Sequence, residues 1–510
     1  MEKSLAFVSG TKTPSESFGS GPTDWITQGC ETLKERINNL DERLEEISLP
    51  DHTTDQSAVE GGLIRSVFAD VWDCEPLRAY LPATLGGEVD NAAHVIATLD
   101  TVAFHHLPLG LAVALQGALF IRPVSLFAEP SRATEVLSRF NEPTPFIGGM
   151  MMTEPQCGTD LFAAETAVEH TKGGYRIRGQ KHWSGMTGHA DCWLVFAKDE
   201  DASRRQRFSY YLAPVESSRE GFEVQEYYRA HGLCPIPYGR TKLDVELPEN
   251  AVMRGDGGYP SVVASILQGS RLTTAGIAHG FIRRILAEAT AHTDARTVFG
   301  NPLSQLDQVA SRLDRIRFAE LVTRGMCEYT INEVGSLHNV SAASRGCSRI
   351  MKALGTDLMC DSATNLALLQ GSIGFCERAM GFGALADSHP FRIFEGPNDM
   401  LYDQIGGDAL RRNQDGSLGD ILAERSFTPR TAGVGRLLDC KVEELSQRGR
   451  VLLGRALSFA EALRWIRDAR SVTPAQLEFA SEHVEVEVGQ LALSLSMFGC
   501  GGVGATPQPD

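Results

Sequence analysis

Tyr175-Arg176-Ile177-Arg178 and Thr241-Lys242-Leu243-Asp244-Val245-Glu246-Leu247 alternate in polarity at every second residue. Successive side chains of a strand point to opposite faces, so this alternation predicts strands with one face buried. Cys192-Trp193-Leu194-Val195-Phe196 and Phe208-Ser209-Tyr210-Tyr211-Leu212 join them, set apart by Gly, Asp and Ser turns, and together they predict a small β-domain over residues 145–257. On both sides the period is helical.

Upstream, Ile26, Leu33, Ile37, Leu40, Leu44 and Ile47 recur at helical steps between charged residues, predicting one amphipathic helix over 25–49, ended by Pro50. Ala- and Leu-rich runs at 92–104, 109–127 and 131–140 complete an N-terminal helical domain, 25–144. The apolar stretch 109–120 is broken at Gln116 and Gly117 and reads as a core helix too short to cross a bilayer, so no membrane span is expected. Downstream of Gly257-Gly258 the helical period covers 262–296, 303–335, 342–370 and 397–412, a C-terminal helical bundle over 258–412. After Asp415-Gly416 come further helices, 442–468 and 474–497, within a C-terminal helical extension, 413–510, expected to pack on the bundle. Residues 1–24, rich in Ser, Thr, Gly and Pro at their start, read as a disordered tail with neither a secretory signal nor an Arg-rich transit peptide. The fold class is thus mainly α with a central β-domain, in the order α, β, α.

At 510 residues the chain can hold two to four domains or one large multi-lobed one. Its net charge of -17 argues against a broad nucleic-acid or anionic-lipid surface, since both need basic patches; DNA binding is not expected. The 11 cysteines are scattered with no CxxC pair, a pattern of reduced thiols in a cytoplasmic protein. His105-His106 lacks an HExxH context, and no metal is expected. Two glycine strings match the dinucleotide fingerprint by letters, Gly381 to Ala386 and Gly499 to Gly504. Neither has a strand before it and a helix after it, so neither is read as a phosphate site.

One acid stands out. In Arg392-Ile393-Phe394-Glu395-Gly396-Pro397-Asn398-Asp399-Met400, Glu395 sits at the mouth of a helix with Ile393 and Phe394 beside it and Pro397 suited to its first position. An oily setting raises a carboxyl pKa and makes the group a better base at neutral pH. A Glu beside a helix N-terminus usually does no more than complement the helix dipole, so the stretch alone favours the plainer role.

The motifs in combination tip the balance. Met152-Thr153-Glu154-Pro155-Gln156-Cys157-Gly158-Thr159-Asp160, the run Tyr175 to Trp183 with its Gly-x-Lys and Trp, Arg271, Arg296 with Phe299-Gly300-Asn301-Pro302-Leu303, and Gly371-Ser372-Ile373-Gly374-Phe375 occur in the order found in the acyl-CoA dehydrogenase family, which the chain resembles from about residue 59 to 412. The resemblance implies that family's fold: an N-terminal helical domain, a β-barrel-like middle domain and a four-helix bundle. It also implies FAD as cofactor, with Met152, Thr153, Thr159, Trp183, Ser184, Arg296, Phe299 and Gly371 toward it and Thr159, Arg271 and Gly396 toward substrate. Trp183-Ser184-Gly185 stands where the family usually has Trp-x-Thr, so the hydroxyl is absent or moved to Ser184.

Glu395 would then take the α-proton of an acyl-CoA thioester, whose carbonyl meets the Glu395 N–H, while the β-hydrogen passes as hydride to flavin N5 to give a trans-2-enoyl thioester. Some relatives carry the base just before the Arg matching Arg271; here that residue is Ser270, which cannot serve. Arg296 and Phe299 reaching a neighbour's FAD would make the protein a homodimer or homotetramer. An electron-transfer flavoprotein would accept the electrons, in lipid metabolism. Two alternatives stand beside this: an acyl-carrier-protein-linked desaturase of a specialised pathway, and a DNA-associated alkylation-response relative with little dehydrogenase activity.

Overall fold

A computed structural model gives residues 24–498, apart from 52, 90, 204–206, 216–218, 339, 342–343, 378, 414–416 and 439–444. The expected tail up to residue 23, the break at Asp415-Gly416, Cys440, Cys500 and the glycine string from Gly499 lie outside these described residues.

Helix α1, Glu31–Glu46, buries Leu33, Ile37, Leu40 and Leu44. The single helix expected over 25–49 is interrupted: Asp24–Thr27 forms a separate turn, and Gly29 takes φ +85°. A left-handed residue breaks the hydrogen-bond ladder without disturbing the apolar spacing, so periodicity does not register it. Helix α2, Ala92–His105, is buried on nearly every side. Helix α3, Leu107–Gln116, does not stop at Gly117 but continues through a π-wound turn, Gly117–Ile121, into Arg122–Phe127. The whole run of 21 residues is long and apolar enough to cross a membrane, unlike the shorter segment expected, yet 78% of its most apolar window is buried in the protein. Gly117 is there for contact, since a Cβ would come 2.2 Å from the Tyr80 ring.

Seven strands form a curled sheet: β1 Gly148–Met151, β2 Ala167–Thr171, β3 Gly174–His182, β4 Cys192–Lys198, β5 Phe208–Pro214, β6 Phe222–Tyr228 and β7 Tyr238–Pro248. Their order is β1-β4-β2-β3-β7-β6, with β5 also on β4. Strand β4 therefore lies between β1 and β5, and Cys192 to Ala197 are all buried. The long β3–β7 ladder runs in register from Gly174 opposite Pro248 to His182 opposite Arg240, and so delivers Trp183 at its end.

Helix α4, Tyr259–Ala295, is the axis of the C-terminal half and packs against α2, α5 (Asp307–Tyr329) and α6 (Arg345–Gln370). It touches α2 backbone to backbone, because a Cβ on Gly280 would lie 2.0 Å from the Asp100 carbonyl oxygen. Asp100, fully buried there, meets His279 Nδ1 at 2.6 Å and accepts from Arg283 Nη2 at 2.7 Å, while Glu320 of α5 lies 3.2 Å from His279 Nε2. Burial opposes charge on this imidazole, but the two carboxylates prevail and raise its pKa. Helices α7 (Met380–Ser388) and α8 (Asn398–Arg412) follow, then α9 (Gln447–Asp468) and α10 (Pro474–Phe498). The extension packs on the bundle: a Cβ on Gly454 of α9 would be 2.0 Å from the Tyr402 carbonyl oxygen of α8.

Candidate active site

The turn from α7 into α8 puts Glu395 in a left-handed conformation, φ +56°, followed by Gly396 at +98°. A non-glycine residue there costs about 1–3 kcal/mol, so something must hold it. Two cations do. Arg271 of α4 donates from Nε and Nη2 to the Glu395 carbonyl oxygen at 3.1 and 2.5 Å. Lys352 of α6 donates to the Gly396 carbonyl oxygen at 2.7 Å and to Asn398 Oδ1 at 2.8 Å. Asn398 in turn donates to the Ala353 carbonyl, Thr356 Oγ1 and Asp357 Oδ1 at 3.0, 2.9 and 2.9 Å.

Because both cations grip backbone carbonyls, the Glu395 carboxylate accepts only the Ser270 hydroxyl among the described residues. Desolvation raises its pKa, with Ser270, Arg271 and Lys352 pulling the other way. Burial likewise pushes Lys352 down to about 7, although Glu395 favours its charged form. The Glu395 N–H meets no acceptor among the described residues. Two local expectations are corrected. Pro397 is the N-cap, φ -54° and ψ 141°, and the helix starts at Asn398. Ile393 is 59% exposed and does not wrap the acid, while Phe394 packs on Phe391 at 4.9 Å between ring centroids.

The Thr-Glu-Pro loop is anchored by an acid of the opposite kind. Glu154, 2% exposed, accepts from Lys181 Nζ at 2.7 Å and from the Glu165 and Thr166 N–H groups at 2.7 and 3.1 Å. Desolvation raises its pKa, but Lys181 and the hydrogen bonds more than offset this and leave it low. Lys181 also donates to the Met152 carbonyl at 3.2 Å, and His182 N–H to the Thr153 carbonyl at 3.0 Å. Met152, Thr153 and Trp183 are thereby fixed to one rim of the sheet. Glu154 and Lys181 were quoted within motifs but given no task by sequence reading; a Glu and a Lys on neighbouring segments of one site were the available signal.

Trp183 takes φ +54°, is 54% exposed and lies 4.5 Å from the Tyr228 ring. Ser184 is turned inward, and its Oγ is buried with no partner among the described residues. Thr159 is exposed. Arg296 caps α4 and leads into a two-residue-stranded hairpin whose tip, Phe299, is 95% exposed at φ +52°. Gly371 caps α6 at φ +62°, close to the same end of α4, where the His292 ring meets the Leu369 backbone. The expected residues therefore fall into three groups: Glu395, Gly396 and Arg271; Met152, Thr153, Trp183, Ser184 and Thr159; and Arg296, Phe299 and Gly371. Ser270, set aside as a base, belongs to the first. An exposed indole face and an unsatisfied buried hydroxyl beside it suit an aromatic, hydrogen-bonding ring system, so these residues fit a flavin.

Residues 149–245 match the acyl-CoA dehydrogenase middle domain and residues 256–410 the acyl-CoA dehydrogenase C-terminal domain. The chain is 23% identical over 346 residues to the short-chain-specific acyl-CoA dehydrogenase of Megasphaera elsdenii, covering 65% of this chain and 86% of that protein. It is 23% identical over 378 residues to the human mitochondrial very long-chain specific enzyme, covering 72% of this chain but 56% of that one. The fold superposes on an acyl-CoA dehydrogenase complexed with FAD from Bacillus anthracis with a TM-score of 0.75 at 14% identity, over 92% of this chain and 88% of the other. That span reaches into the helices after Arg412. With both domains matched in order around the sheet and the Glu395 turn, the chain belongs to the acyl-CoA dehydrogenase family of FAD-dependent oxidoreductases.

Proposed function

We propose that this chain dehydrogenates an acyl-CoA thioester at the α,β bond to the trans-2-enoyl thioester, with Glu395 as base. The observation that carries the reading is the Glu395 carboxylate: its pKa is raised by desolvation and its neighbouring cations are bound to carbonyl oxygens instead of to it. A carboxylate so placed takes up a proton readily, and the neutral acid that results is the form that burial favours. The Glu395 N–H is open to the thioester carbonyl and would stabilise the charge that develops there as the α-proton leaves. Arg271 and Lys352 keep that N–H and the carboxylate at fixed positions. Bound FAD supplies the acceptor for the β-hydrogen and its electron pair.

Met152, Thr153 and Trp183 would hold the flavin ring, and Thr159 would face phosphate or pantetheine. Arg296 and the bare Phe299 would reach the FAD of a second subunit, which makes a homo-oligomer part of the reading. An electron-transfer flavoprotein would reoxidise the enzyme. The test is to record the flavin spectrum of the purified protein and add acyl-CoAs of graded length and branching without oxygen. One thioester should bleach the long-wavelength band; a flavin-loaded protein that none of them bleaches would end the reading.

A further inference from the structure

Cys30 is the N-cap of the 16-residue helix α1 and is half-buried. Among the described residues it is the one thiol whose sulfur meets a histidine ring: Nε2 of His94, in the first turn of α2, lies 4.0 Å from Sγ. On its other side the ring meets Glu88, Nδ1 against Oε2, and Glu88 is held in turn by Arg78 Nε at 3.3 Å and Arg36 Nη2 at 3.4 Å. Desolvation works against the Glu88 charge, but His94, Arg36 and Arg78 prevail and keep its pKa low. An ionised carboxylate only accepts, so Nδ1 carries the ring proton and Nε2 turns its lone pair to the thiol.

Two further features gather round the sulfur. The Glu31, Thr32 and Leu33 N–H groups, at the start of α1, find no acceptor among the described residues, and such a helix end favours negative charge placed on it. Arg36 is close enough to Cys30 for the two to interact electrostatically; its side chain is 11% exposed, and its Nε is buried with no hydrogen-bond partner among the described residues. Other thiols have a plainer setting: Cys74, Cys157, Cys360 and Cys376 each donate to a backbone carbonyl.

We propose that Cys30 is a modification site, a thiol that a hydroperoxide oxidises to the sulfenic acid, with His94 as proton acceptor and Glu88 orienting the ring. With hydrogen peroxide, His94 takes the thiol proton and Sγ attacks one peroxide oxygen. The S–O bond forms as the O–O bond breaks, and the departing hydroxide takes the proton from His94 and leaves as water. One thiol and one peroxide give one sulfenic acid and one water; sulfur is oxidised by two electrons and the peroxide reduced by two. Arg36 and the open N–H groups face the negative charge that passes through the sulfur. So small an oxidant reaches a half-buried sulfur without a preformed pocket. Cys30, Glu88 and His94 all stand before the sheet in the chain and take no part in the Glu395 site.

The experiment treats flavin-loaded protein with hydrogen peroxide in the presence of dimedone, which traps sulfenic acids, and follows each cysteine by peptide mass spectrometry. Cys376, exposed and bonded to the Ser372 carbonyl, is the internal reference. Cys30 should be trapped at least about tenfold faster than Cys376, and His94→Gln should remove most of that advantage while the flavin stays bound. Trapping at Cys30 no faster than at Cys376, or equally fast in wild type and His94→Gln, overturns the proposal. Should His94→Gln fail to fold, Glu88→Gln, which releases the ring from its orientation, carries the same comparison.

Discussion

Glu154 and Glu395 are the same residue type, both taken out of water, and their surroundings push them in opposite directions. Glu154 has an ammonium and two N–H groups aimed at its oxygens, which keep it ionised. Glu395 also has an arginine and a lysine in its surroundings, but they donate to the Glu395 and Gly396 carbonyl oxygens and form no ion pair with its carboxylate among the described residues, and its pKa rises. The first carboxylate is a fixed strut for the Thr-Glu-Pro loop. The second is held in place by its backbone and left able to change protonation state. A cation in the neighbourhood does not by itself keep a carboxylate ionised; what counts is whether it binds the carboxylate or another atom.

The sharpest break of that contrast is Glu395→Gln, which should bind flavin and stay yellow but lose reduction by acyl-CoA by about 10²–10⁴-fold, the share of a general base. Normal bleaching would mean the wrong acid has been given the role. Glu154→Gln should instead cost stability, about 3–5 kcal/mol by denaturant unfolding, because Lys181 is left buried and unpaired. Replacing both partners together, Glu154→Met with Lys181→Met, should recover most of that loss. Arg271→Met frees the Glu395 carbonyl and should slow flavin reduction by about 10²-fold through misplacement of the turn, with flavin content unchanged.

Protonation gives the smaller effects. Glu154 has a lowered folded pKa, so its stabilisation is complete above the usual carboxyl range and lost as pH falls through the depressed value. Glu395 has a raised one, so its contribution is present at low pH and lost as pH rises through that value, while the rate of reduction rises over the same interval. Ser270→Ala removes the one hydroxyl bound to the ionised form and should move the acid limb of the rate profile upward, by about one pH unit or less. An unmoved limb would show that Glu395 does not govern the profile.

Four strands were legible, β7 by its alternating buried face and β4 and β5 by their short apolar and aromatic runs: β3, β4, β5 and β7 all contain a stretch expected to be extended. The other three were not, for separate reasons. Strand β1 is Gly-Gly-Met-Met because a Cβ on Gly148 would lie 2.2 Å from the Phe120 ring and one on Gly149 2.3 Å from Trp193. Strands β2 and β6 are largely exposed, so little apolar alternation marks them. The acid itself was legible from its motif, but the reason for its raised pKa was placed partly in Ile393, which is 59% exposed and does not enclose it.

By itself the sequence determined the order helix, sheet, helix, the acid at the head of α8, and the ordered motifs of a flavoprotein family, because period and local turn chemistry are written in neighbouring residues. The tertiary structure alone decided which oxygen each buried cation binds, that Ser270 serves Glu395 as donor, and that six arginines from four chain segments share one cavity. Those depend on contacts between residues that lie far apart in the chain, such as Ser270 and Glu395, and spacing along a chain carries no record of which side chains meet.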